Sequence, residues 1–104
     1  MSNIKYGIDI DNNAITTNLI RLTNQIYKLL PFREEGGEWS KPLETIIEEL
    51  SGMNLLFLDH HVILFSLLCK LEGLFTLTKD EDFQLYRRII FECLELVNKL
   101  IKAC

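Results

Sequence analysis

The sequence predicts an all-α protein: a compact four-helix bundle with an irregular N-terminal arm. Three observations carry this. Val62 to Leu71 reads VILFSLLCKL, with only Ser66 and Lys70 polar. Ile15, Leu19, Leu22, Ile26 and Leu29 step by four and three, and so do Tyr86, Ile90, Cys93, Val97, Leu100 and Cys104. Such an alternation is the seam of a bundle helix. Helix breakers and capping residues then divide the chain into four apolar segments joined by short links. The 104 residues, 48% apolar and 25% charged, fit a single globular domain, residues 1–104.

In the arm, Ile4, Tyr6, Ile8 and Ile10 alternate as in a short strand, but Gly7 and two aspartates weaken it. No second strand is evident elsewhere, so the expectation is irregular chain, with strand addition to another chain as the alternative. The first helix is expected over residues 13–30. Asp11, Asn12 and Asn13 suit its N-cap, and Pro31 is expected to stop it. Residues 31–41, PFREEGGEWSK, read as a loop in which Gly36-Gly37 has no local reason for order.

A short second helix is expected over 41–50. Ser40 is its N-cap, Pro42 lies in its first turn, and Leu43, Ile46, Ile47 and Leu50 form its apolar stripe. The third is expected over 59–74, capped by Asp59. Its apolar run is too short to span a bilayer, which takes about 20 residues, and suits a helix buried on nearly all sides. The fourth is expected over 79–103, with Thr78 and Glu81 as a capping box and Phe91 alone among the charges of its outer face.

Charge and composition narrow the function. A net charge of −4 argues against phosphate-backbone binding, and the one basic doublet, Arg87-Arg88, lies close to Asp80, Glu81 and Asp82. Direct nucleic-acid binding and membrane insertion are therefore not expected. Three cysteines without close spacing are no disulfide framework; Cys69 and Cys93 read as small core side chains in a reducing compartment. The N-terminus carries no apolar signal segment, so a cytoplasmic protein is expected. Abundant Ile, Asn and Lys are what AT-rich bacterial or phage genes supply.

No catalytic constellation emerges. Asp9 to Asn13 resembles the start of a calcium loop, but Ala14 stands where Gly is needed and Ile20 where a bidentate Glu is needed. His60 and His61 are adjacent, and neighbours on a helix point about 100° apart, which suits two roles better than one metal. With Cys69 they form the only candidate metal or thiol site. No cofactor is expected, and the chain is read as non-catalytic.

Two surfaces are candidates for binding. Phe32, Glu34, Glu35, Glu38, Trp39 and Phe91 form an aromatic and acidic set fit for a protein partner, a basic one by preference. The apolar excess of the fourth helix points to a homodimer sealed by Tyr86, Ile90, Cys93, Val97 and Leu100. The function expected is that of an adaptor or assembly subunit. The alternative is a phage or mobile-element inhibitor that covers a basic surface of a host protein.

Overall fold

The computed structural model describes residues 2–5 and 8–103, with side chains described from residue 13 onward. Tyr6, Gly7 and Cys104, which the sequence placed in the arm and at the end of the last seam, lie outside these. The chain forms a hairpin of β1 (Ser2–Lys5) and β2 (Ile8–Asp11), then α1 (Asn12–Glu34) and α2 (Ser40–Gly52). A 3-10 segment, Asn54–His60, leads into α3 (His61–Gly73), and α4 (Phe83–Ala103) closes the chain. The four helices make an all-α bundle. Each packs on two neighbours, α1 on α2 and α4, α3 on α2 and α4, so the order around the bundle is α1, α2, α3, α4.

The arm is not irregular. Ser2 pairs with Asp11 and Lys5 with Ile8 in antiparallel register, so the missing partner strand is the second half of the same alternating stretch. The seams are where their spacing put them. Ile15, Leu19, Leu22, Ile26 and Leu29 of α1, Leu43, Ile46 and Leu50 of α2, and the α4 seam from Tyr86 to Leu100 are all buried in one core cluster. Leu64, Leu67 and Leu71 of α3 and Leu74 just beyond it complete that cluster. Two interhelical ion pairs cross the outside, Arg21 to Glu49 at 2.6 Å and Lys70 to Glu92 at 3.1 Å. Both are half-exposed and contribute little to stability.

Pro31 does not end α1, which runs on to Glu34. A proline inside a helix lacks one donor, but the turn after it re-forms: Glu35 N–H donates to the Pro31 carbonyl at 3.0 Å. The terminator is Gly36. Its φ of 78° is left-handed. Gly36 N–H donates to the Arg33 carbonyl and Gly37 N–H to the Phe32 carbonyl, at 3.0 and 2.9 Å. That pair of bonds is a Schellman cap, which gives Gly36-Gly37 its local reason for order. A methyl on Gly37 would overlap the Phe32 ring, so the ring lies against that glycine. Gly36→Ala is expected to lower unfolding free energy by about 1 kcal/mol, the usual cost of forcing a Cβ into the left-handed region. Gly36→Asn should recover part of it; equal urea midpoints for wild type and Gly36→Ala would contradict the assignment.

Other boundaries shift by a few residues. Trp39, not Ser40, is the N-cap of α2, and His60, not Asp59, that of α3; neither side chain caps its helix. At the entry to α4 the capping acid is one residue on from Glu81. The Asp82 carboxylate accepts the Lys79 N–H at 3.2 Å, and Asp82 N–H donates to the Lys79 carbonyl at 3.0 Å.

Candidate interaction surfaces

The proposed dimer seam is spent inside the monomer. Tyr86, Ile90, Cys93, Val97 and Leu100 are all fully buried within one chain. They cannot meet a second copy while the bundle is closed. Four helices surrounding one core do use the whole α4 stripe, because α1 takes one flank of it and α3 the other.

The two most exposed large apolar side chains, Val62 and Phe65, lie on α3. This helix is a wall of the bundle and not its axis. Within the apolar segment Asn54–Thr76 an 18-residue window has mean hydropathy 1.4, and only 22% of that window is buried. That segment is long and apolar enough to cross a membrane, but its helix is broken at Phe57 (φ −123°, ψ 41°) and at His60 (φ −127°, ψ 26°). Leu64, Leu67, Leu71 and Leu74 step three, four, three into the core. Val62, Phe65 and Cys69 therefore point the other way, at the spacing of one helix face. Val62 is 66% exposed and Phe65 67%. Cys69 is exposed as well, so it is not the core thiol its neighbours suggested. The corresponding outward positions of α2 are Lys41, Glu44, Thr45 and Glu48, and those of α4 include Arg88, Glu95 and Lys99. Among the described helices α3 turns the most exposed apolar stripe to its outside, while α1 exposes Ile20 and Tyr27 at 49% and 54%.

Beside this stripe, α2 and α3 enclose a groove of about 340 Å³ lined by Glu44, Ile47, Glu48, Glu72 and Phe75. Its floor is apolar and its rim is three carboxylates. Among the described residues none of the three is in an ion pair.

On the opposite edge of the bundle, between α1 and α4, Tyr27 and Phe91 meet edge to face with centroids 6.4 Å apart. Both are exposed. The Arg87 guanidinium lies 4.9 Å above the Phe91 ring. Arg87 and Arg88 are in no ion pair with the nearby Asp80, Glu81 or Asp82. With Gln84, Leu85 and Phe91 they line a shallow hollow of about 600 Å³.

The set of six partner-binding candidates is divided by the structure. Phe91 belongs to the α1–α4 edge just described. Phe32, 41% exposed, lies on the α1–α2 side with Gln25, Lys28, Pro42 and Thr45. Glu34, Glu35 and Glu38 are exposed around the turn after α1. Trp39 is half-buried and packs edge-on to Tyr86 at 5.0 Å, a lid on the core.

Under that lid is a residue the sequence did not single out. Arg33 donates to the carbonyls of Leu77 and Lys79 at 2.9 and 2.8 Å. Its guanidinium lies 4.7 Å from the Tyr86 ring, 5.3 Å from Phe83 and 6.0 Å from Trp39. One side chain thus ties the end of α1 to the link before α4. Among the described residues the buried Tyr86 hydroxyl finds no hydrogen-bond partner. Burial raises its pKa above the ordinary tyrosine range, against the opposing charge of Arg33.

The histidine–cysteine set does not converge. His61 Nδ1 is 3.1 Å from the Leu58 carbonyl, His60 is the residue before α3, and Cys69 lies two turns on along the outer face. Among the described residues no three His, Cys, Asp or Glu side chains cluster as metal ligands would. The Cys93 thiol is pushed up to about 12, by burial first and by Glu92 to a lesser degree, with Lys70 opposing. A thiol held neutral in this way is a poor nucleophile. No family model, no curated protein and no solved structure matches the chain.

Proposed function

We propose that the protein is a non-catalytic interaction module of the cytoplasm, an adaptor or assembly subunit that docks on another protein chain through the outer face of α3. The observation that carries this reading is the bare stripe of Val62, Phe65 and Cys69. Hydrophobic side chains aligned on one outward helix face, beside a groove, mark a surface that another chain covers. The test is affinity capture with the tagged full-length chain, wild type against Phe65→Glu. The Phe65→Glu chain should keep its helical circular dichroism and lose the chains that co-purify with wild type. Undiminished recovery would remove the α3 face from the account.

A second reading is favoured by Glu34, Glu35 and Glu38, exposed and outside any ion pair among the described residues. In it the chain is an inhibitor that covers a basic surface of a host protein. Changing all three to Lys separates the two: capture is lost in this reading and retained if α3 is the docking face.

A further inference from the structure

We infer that the chain covering the α3 face is a second copy of this protein, bound head to tail, with the α2–α3 face of one copy seated on the α1–α4 edge of the next. The inference rests on the reading above and names its partner.

Three observations point to this arrangement. The order of helices around the bundle sets the α2–α3 edge opposite the α1–α4 edge, so one chain carries both halves of the contact on different sides. The two edges are both apolar but opposite in charge. Val62, Phe65 and Phe75 stand beside Glu44, Glu48 and Glu72, whereas Tyr27 and Phe91 stand beside Arg87 and Arg88, with Glu95 at the margin one turn beyond Phe91. Among the described residues these carboxylates and guanidinium groups are in no ion pair, so each edge lacks a counter-charge that the other supplies.

Charge also decides the symmetry. A two-fold contact would place the acidic edge on itself, three carboxylates against three, and like charges brought face to face oppose association. A head-to-tail contact places carboxylates against arginines. Phe65 then seats in the hollow beside Phe91, with its stripe over the Tyr27–Phe91 pair. Such a contact leaves one acidic edge and one basic edge free at the ends of every assembly. It therefore grows past a dimer, into a ring if the rotation closes and a filament if it does not.

The test uses purified full-length protein, with Glu44→Lys, Glu48→Lys and Glu72→Lys combined in one chain and Arg87→Glu and Arg88→Glu in another. All five positions are exposed. Circular dichroism and thermal melts establish that both chains remain folded. Mass in solution by sedimentation is then followed against concentration and salt. Wild type is expected to grow past the dimer as concentration rises and to dissociate as salt screens the contact. Each variant alone is expected to be monomeric. An equimolar mixture is expected to assemble again, because the intact acidic edge meets the intact basic edge and the two reversed edges, lysines against glutamates, are complementary as well.

A wild type that stays monomeric would overturn the inference. So would a dimer that both variants retain, or a mixture in which the two variants stay apart. If wild type is monomeric yet loses a captured partner on Phe65→Glu, the interaction reading stands and self-assembly falls. If neither association is seen, both fall.

Discussion

Leu67→Ala is expected to lower unfolding free energy by about 2–5 kcal/mol, the usual range when a buried leucine is truncated in a core that cannot fully close. Leu67 is fully buried in the cluster that joins α3 to the other helices, one turn from Leu64 and Leu71. The adjacent Leu68 is only partly buried at the edge of that cluster, so Leu68→Ala should cost clearly less. The pair tests the facing of α3, because one position separates them. Urea unfolding measures both, and unchanged slopes would show that the two denatured states match. Equal losses at 67 and 68 would mean that α3 is rotated from the orientation described or is buried all round.

The second large effect is expected at Arg33. Arg33→Ala removes two hydrogen bonds from a charged donor to the carbonyls of Leu77 and Lys79. It also removes a cation from between Trp39, Phe83 and Tyr86. Bonds of this kind are worth about 1.5–3 kcal/mol when buried. The Lys79 bond is exposed, so the expected total is about 2–3 kcal/mol with the ring contacts included. Arg33→Lys should rescue little, since a single ammonium lacks the planar fork that reaches two carbonyls while lying flat on a ring. In the same site Tyr86→Phe should be neutral or slightly stabilising, because the hydroxyl it removes is buried without a partner. Full stability of Arg33→Ala would show that the 77–79 link is held by other means.

Most of the fold is legible in the sequence because its core residues repeat with the helix. The α1 and α4 seams could be read position by position. The apolar excess of α4 was legible too, but its use was not: whether a wide stripe is filled by two neighbours or by a second chain depends on how the other helices surround it. In α3 the composition obscured the pattern. VILFSLLCKL has so few polar residues that it reads as buried all round, yet Leu64, Leu67, Leu71 and Leu74 carry the same three-and-four stepping as the other seams. Laying that seam inward leaves Val62, Phe65 and Cys69 outside, a signal that was present.

Local backbone chemistry accounts for the remaining differences. Pro31 reads as a stop, but a proline removes only its own donor, and the stronger stop lies five residues on in a glycine able to adopt positive φ. The hairpin is hard to read because its second strand lies within the same alternating stretch and not elsewhere in the chain, although a glycine between two short alternating runs is a hairpin signal. Arg33 gave no such signal. Its partners are two carbonyls more than forty residues away and three rings from two other segments, a meeting that only the packed bundle creates.

The central claim is that α3 turns a bare apolar face outward from a closed bundle. The most direct measurement is the unfolding free energy of Phe65→Glu in dilute solution, where association is absent. A side chain that contributes nothing to the monomer core can be replaced by a charge with a change within about 0.5 kcal/mol, as at other surface positions. That is the result expected. A loss of several kcal/mol, comparable to Leu67→Ala, would place Phe65 in the core and contradict the account.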